Sequence, residues 1–367
     1  MFKSNKPIRW LASLSLLLLA SVVLSACGAV PANNFAGLST DGTNLFVANQ
    51  SYVYMVSASS GTVNWKYPAK PDQNQTFFGA PALQEGWLYA GNYKNVAVGF
   101  ALDRIDPANP IPTWTYNEQD GKGRFIGAPT VAGDLVLFPS TDHYLYALDR
   151  KAGTLRWRFE TSDALWAPAA ADGQTAYQPG LDHFLYAFDL AKGGQKWKVD
   201  LGGPLVGGAT LDASGTLYLG TLNQEIAAVE SASGKILWRK SVEGNIWSAP
   251  LLHEGKLYFG TDKSKVYIFS AADGQELKND SADSAVIAAP VYSDGAVVFC
   301  TEGGVVFSMT LDGSGRPWTN TLKGKFYSTP VVVNNQVILA PYQGDKILAG
   351  YNFTGTLDEK WSTVTVK

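Results

Sequence analysis

From about residue 36 onward, short runs rich in Val, Leu, Tyr and Phe alternate with clusters of Gly, Asp, Asn and Ser. No stretch carries the apolar spacing of a long amphipathic helix. The pattern predicts four short strands per unit, separated by turn formers. In the sixth unit the strands are expected over Ser248–Leu252, Lys256–Gly260, Lys265–Ser270 and Gln275–Lys278. Glu254-Gly255, Asp262 to Ser264 and Asp273-Gly274 form the turns between them.

Two landmarks repeat with a period near 40. A small residue and a proline precede a Val- or Leu-rich run at Ala80-Pro81, Ala128-Pro129, Ala167-Pro168, Ala249-Pro250, Ala289-Pro290 and Thr329-Pro330. Gly208-Ala209 fills the gap before residue 249, and Ala36-Gly37 opens a degenerate first copy. Trp65, Trp114, Trp157, Trp197, Trp238, Trp318 and Trp361 each close one copy, and Lys278 stands at the tryptophan place of the sixth. A lone four-stranded sheet leaves two apolar faces uncovered, and radial stacking of such sheets hides both. The expected fold is therefore all-β: an eight-bladed β-propeller of four-stranded antiparallel blades over residues 34–367. A β-solenoid would call for shorter repeats. Ring closure by residues 362–367, by an N-terminal strand or by simple packing all remain open at this point.

The N-terminus has a different pattern. Lys3, Lys6 and Arg9 precede an almost purely apolar stretch, Leu11 to Leu24, which is the layout of a secretory signal peptide. That stretch is short for a membrane span of roughly 20 residues. It ends Leu24-Ser25-Ala26-Cys27, which resembles the lipobox of bacterial lipoproteins. The resemblance implies a signal peptide over 1–26, lipidation at Cys27, a tether over 27–33 and anchoring in the membrane. Gly28, rather than Asp, follows the cysteine. This favours delivery to the periplasmic face of the outer membrane in a cell with two membranes, and the cell surface otherwise.

Composition then narrows the function. Without Lys3, Lys6 and Arg9, 26 of the 29 basic residues face 32 acidic ones, so no basic surface for nucleic acid is expected. The second cysteine, Cys300, lies in the strand-like run Val297 to Cys300 and reads as a buried thiol. No catalytic Ser-His-Asp spacing, phosphate-cradling glycine loop or Cys/His metal cluster occurs.

The spacing Ala-x-Asp-x-x-x-Gly-x-x-x-Trp, clearest over 147–157 and 187–197, and over 228–238 with Glu230 for Asp, resembles the tryptophan-docking repeat of the PQQ-like (quinoprotein) propellers. In that family the tryptophan packs between neighbouring blades. No Trp-Asp dipeptide occurs, which weighs against WD40 repeats. Lys278, an insertion around Asp106 to Pro110 and looser seventh and eighth copies depart from the pattern. A lipobox followed by eight such repeats also resembles the lipoprotein B subunit of the β-barrel assembly machinery (BamB-like). That resemblance implies a non-catalytic protein-interaction scaffold in envelope assembly, a protein partner in the envelope and a monomeric propeller. Quinoprotein dehydrogenases share the repeat and hold PQQ and calcium. Many of them carry a cysteine pair and large loops, and this chain has neither. No enzyme activity, PQQ cofactor or metal is therefore expected. The alternatives are a cell-surface propeller binding another protein, a glycan or a small ligand, and a PQQ-dependent dehydrogenase.

Three groups of residues are candidates for a site. Phe78, Phe125, Trp166, Trp247 and Tyr327 precede the small-Pro landmarks and are expected at one mouth of the channel, against the alternative that they seal neighbouring blades. His143 and His183 occupy matching places in Asp142-His143-Tyr144 and Asp182-His183-Phe184 and are expected on one rim. Their alternatives are a metal or ligand role and a tight turn needing positive φ. Asp142, Asp182, Asp262 and Glu302 read as turn residues on blade loops.

Overall fold

The computed structural model describes residues 36–72, 75–117, 123–344, 346–353 and 357–364. The signal peptide, Cys27 and the tether lie outside the described residues. Eight four-stranded antiparallel sheets follow one another along the chain, over residues 37–67, 82–117, 130–160, 170–200, 210–241, 251–281, 291–321 and 331–364. In every sheet the strands pair in chain order. First strands lie beside first strands of adjacent sheets, and Val331–Val333 of the eighth lies beside Gly37–Thr40 of the first. The ring is thus closed, and the sheets are the blades of an eight-bladed β-propeller.

Burial follows position in the blade. The third strand of blade 3, Tyr144–Asp149, is buried along most of its length because a neighbouring blade covers each face. The fourth, Leu155–Glu160, turns only Trp157 fully inward and exposes its polar alternates. The core divides into eight apolar clusters, one at each blade–blade seam. The cluster of Leu38, Val47 and Val56 with Ile338, Leu348 and Trp361 joins the last blade to the first.

The repeat spacing explains the seams. The indole N–H groups of Trp114, Trp157, Trp197 and Trp238 donate to the carbonyls of Arg150, Leu190, Ser231 and Ala271 in the next blade, at 2.8–3.0 Å. A buried indole needs such an acceptor. The ring of each of these tryptophans lies on a glycine of the next blade: Trp157 on Gly193, for example, where an added Cβ would fall 2.6 Å from the indole. Those glycines have φ near +70°, and in blades 3 and 4 they follow an Asp that caps the turn: Asp149 Oδ1 accepts from the N–H of Lys151 and Ala152, and Asp189 Oδ1 from that of Lys192. Trp361 rests in the same way on Gly61, and Thr363 Oγ1 donates to the Gly61 carbonyl at 2.5 Å. Among the described residues the ring closes by packing of the eighth blade on the first, with Thr363 of the segment 362–367 taking part. Among the described residues each blade takes all four strands from one stretch of chain.

Two departures from the repeat are absorbed locally. Just before the insertion in blade 2, Leu102 and Ile105 pack against the blade 1–2 cluster, in which the Trp65 ring lies 5.7 Å from that of Phe100. At the blade 6–7 seam Lys278 covers Gly313 where an indole would lie. The carbonyl that elsewhere accepts the indole N–H, here Leu311, accepts instead from Tyr258 Oη at 2.8 Å and Lys256 Nζ at 3.1 Å. In the sixth blade the second and third strands have the expected bounds. The first is shorter, Leu251–His253, because Pro250 has no N–H for the ladder. The fourth runs further, Glu276–Ser281.

Candidate functional site: one mouth of the channel

The segments that lead into the blades and the hairpins between second and third strands form one face of the ring. A repeated hydrogen bond builds it. The N–H groups of Phe77, Phe125, Leu165, Leu205, Ile246, Val286 and Phe326 donate to the carbonyls of Gln50, Asn92, Ser140, Gly180, Thr221, Thr261 and Thr301 in the preceding blade's hairpin. Each of these seven side chains is fully or almost fully buried in a seam. The chain is extended here, so the next residue turns the other way, towards the channel. That places Phe78, Ile126, Trp166, Val206, Trp247, Ile287 and Tyr327 at the mouth, all half-buried or exposed. The following small residues let inner strands meet backbone to backbone. A Cβ on Gly79 would lie 2.5 Å from the Gly127 carbonyl oxygen, and one on Gly127 2.5 Å from that of Trp166.

This corrects one expectation. Phe125 is wholly buried, packed on Phe138 and Tyr146 at the blade 2–3 seam, and Ile126 takes its mouth position. The cause is register: Phe125 aligns with Leu165, not with Trp166. Phe78 lies at the mouth and stacks on Tyr93 at 4.6 Å, with the Arg124 guanidinium 4.9 Å over the Tyr93 ring. Tyr327 donates to Glu302 Oε1 at 2.6 Å and meets Tyr342 edge-on. Trp166 and Trp247 are the most open, at 43% and 37% exposed. Sequence reasoning missed Tyr93, Arg124 and Tyr342 as rim residues. Their signal was their place in or beside the hairpins.

His143 and His183 lie on the same face, in hairpins, at φ +74° and +75°. Six of the eight hairpins have a positive-φ residue directly before the third strand, Asn95, His143, His183, Gln224, Ser264 and Gly304, and in blades 1 and 8 Gln50 and Gln343 fall slightly earlier. His143 Nε2 comes to 4.0 Å from Asp163 Oδ1.

The hairpin carboxylates are held by the fold. Asp142 Oδ2 accepts from Tyr146 Oη at 2.9 Å and Asn95 Nδ2 at 3.0 Å. Asp182 Oδ2 accepts from Tyr186 Oη at 2.6 Å and the Ser162 N–H. Asp262 binds both nitrogens of Asn245 at 2.9 Å and accepts a long 3.4 Å bond from Trp247 Nε1. Hydrogen bonds from Tyr327 and Lys325 hold the Glu302 carboxyl below its usual pKa. Burial together with Asp182 pushes the Tyr186 phenol up to about 12. A PQQ and calcium site does not fit this face. Its carboxylates are engaged in turns, the chain's second cysteine Cys300 is buried in a seam, and no group of three potential metal ligands occurs among the described residues. An open depression of about 450 Å³ lies between blades 7 and 8, lined by Ser284, Glu302, Lys325 and Gln343. A larger one on the opposite face, between blades 3 and 4, balances Arg156 and Lys196 against Asp134 and Asp189.

Comparison with known proteins agrees with this architecture. No curated protein matches the chain. BamB from Moraxella catarrhalis superimposes with a TM-score of 0.72 at 16% identity, covering 86% of this chain and 94% of that one. The quinohemoprotein alcohol dehydrogenase from Comamonas testosteroni does so at 0.69 and 12%, covering 85% and 71%. A europium-containing methanol dehydrogenase gives 0.67 and 11%, covering 86% and 82%. At such identities the likeness is one of fold, common to BamB and to dehydrogenases. The family model described as outer membrane protein assembly factor BamB is more selective, matching residues 32–165 and 182–316. With most of its length matched in two long segments, the chain belongs to the outer membrane protein assembly factor BamB family.

Proposed function

We propose that the protein is a non-catalytic, membrane-anchored scaffold that binds a protein partner during outer-membrane or envelope protein assembly. The observation that carries this reading is the mouth itself. Trp166 and Trp247 stand open on a rim in which seven of the eight hairpins are hydrogen-bonded to the next blade, and the carboxylates beside them are engaged in holding that rim. Rigid, preorganised aromatic anchors suit protein binding, because little side-chain or loop entropy is lost on association. Family membership supports the same reading. Anchoring through a lipidated Cys27 belongs to the proposal.

The test is crosslinking in native membranes with a photoreactive residue at position 206. Enrichment of the barrel-inserting protein is the expected result. Its absence from an organism that has one, with the crosslinker active, overturns the reading. Tight PQQ binding with calcium and turnover of an alcohol in a dye-linked assay would establish the dehydrogenase instead.

A further inference from the structure

The mouth is not uniform around the ring. Its two open tryptophans lie on blades 4 and 6, with blade 5 between them. Blade 5 enters through Gly202-Gly203-Pro204-Leu205-Val206-Gly207-Gly208, which presents no charged side chain. Leu205 is buried, so Val206 and glycine backbone form the floor between the two indoles.

Charge is divided in the same way. From the hairpin of blade 3 to that of blade 7, the entry segments and hairpins carry Asp142, Asp163, Asp182, Glu243, Asp262, Asp283 and Glu302 against Lys263. Glu243 lies 3.8 Å from Lys265 and Glu302 is paired with Lys325. Asp142, Asp163, Asp182 and Asp262 make no ion pair with a lysine or arginine among the described residues. Across the ring, Lys70, Lys94, Lys323 and Lys325 stand against Asp72 on the described entry segments and hairpins of blades 8, 1 and 2.

We infer that Trp166, Val206 and Trp247 form a clamp for an extended segment of a partner protein in which basic residues alternate with aliphatic ones. This rests on the scaffold reading and narrows it to one sector and one chemistry. Aliphatic side chains pack on the indole faces and on Val206. Lysine or arginine stems lie along the rings, with their charges over the indoles and towards the flanking carboxylates. Complementary charge steers encounter and sets register, and the aromatic anchors hold the complex.

The test uses the purified propeller and two labelled peptides of equal length, one alternating lysine with leucine and one alternating glutamate with leucine. The lysine peptide is expected to bind, more weakly as salt rises, and the glutamate peptide is not. Trp166→Ala with Trp247→Ala should weaken the lysine peptide by about tenfold or more at unchanged circular dichroism. Val206→Lys keeps both indoles and should turn the preference towards the glutamate peptide. Equal binding of both peptides, or wild-type affinity in both variants, overturns the inference. The scaffold reading fails separately, when the crosslinker at position 206 captures no barrel-inserting protein. If it captures one through a neutral or acidic segment, the scaffold stands and the clamp chemistry falls.

Discussion

Two sets of tryptophans recur in this ring, and they differ in what surrounds them. Trp114, Trp157, Trp197 and Trp238 lie on outer strands, each indole resting on a glycine of the next blade with its N–H on a backbone carbonyl. Trp166 and Trp247 lie on the segments that lead into the inner strands, open at the mouth. Within blade 4, Trp166 and Trp197 are 31 positions apart, yet one presents surface and the other builds it. The difference shows how a repeat can be uniform where it holds itself together and variable where it meets something else. The seam accepts the same pair of residues again and again. The rim carries Phe, Ile, Trp or Val at equivalent places.

The seam should break first. Trp157→Ala removes a ring 9% exposed and one hydrogen bond, and should cost about 3–5 kcal/mol in denaturant unfolding. Gly193→Ala attacks the same contact from the other blade. Its Cβ meets the indole at 2.6 Å and the residue keeps φ +70°, so a loss of about 1–3 kcal/mol is expected. If the double variant costs no more than Trp157→Ala alone, the two act as one contact.

Alkaline titration separates the two regions differently. Tyr54, Tyr186, Tyr218 and Tyr258 are pushed up to about 12, in each case first by burial, and then by Tyr52, Asp182, Asp212 and Glu254 respectively. Folding raises these pKa values above the unfolded value near 10, so the folded state holds its protons more tightly. The stability this contributes is complete below about pH 10 and is lost as pH rises from there towards 12. The tyrosinate absorbance of these four rings should therefore appear only together with unfolding. All 17 tyrosines titrating near 10 in a chain that stays folded would contradict the burial of these rings.

Much of this was legible in the sequence, for a physical reason. A seam of the common kind joins a large ring to a glycine on a tight turn at fixed spacing, so it prints itself on the chain in most blades, as at Asp149, Gly153 and Trp157 of the third. The rim was harder to place because each landmark is preceded by two adjacent apolar residues, one for the seam and one for the mouth. Ala167-Pro168 begins two residues after buried Leu165, whereas Ala128-Pro129 begins three after buried Phe125, so the proline alone does not say which of Phe125 and Ile126 turns to the mouth. The Leu311 carbonyl was out of reach for another reason. That Tyr258 and Lys256 satisfy it where Lys278 replaces the indole depends on contacts more than 50 residues apart. Which of the rim side chains would be open was likewise set by neighbours, as with Phe78 on Tyr93.

The hairpins of the mouth give a small effect of opposite sign. His143 and His183 occupy a left-handed conformation that costs a side chain about 1 kcal/mol, and Gly304 fills the same place in blade 7. His143→Gly relieves that cost and gives some of it back as unfolded-chain entropy, leaving a gain of about 0.5 kcal/mol in denaturant unfolding. A loss of more than about 1 kcal/mol would mean that the imidazole, through Asp163 or another group, holds the hairpin.

The smallest effect on stability belongs to the rim tryptophans. Trp166 projects from an extended segment whose anchoring lies in its neighbours: the Leu165 N–H binds the Ser140 carbonyl and the Leu165 side chain is buried. Removing the indole therefore leaves the hydrogen-bonded frame intact and deletes a ring already open to water. Trp166→Ala should change unfolding free energy by less than about 1 kcal/mol, against the several expected for Trp157→Ala nine residues away. Urea unfolding of the two variants side by side checks it. A loss at Trp166 comparable to that at Trp157 would mean that the mouth is a second seam, with its indoles placed to lock blades rather than to meet a partner.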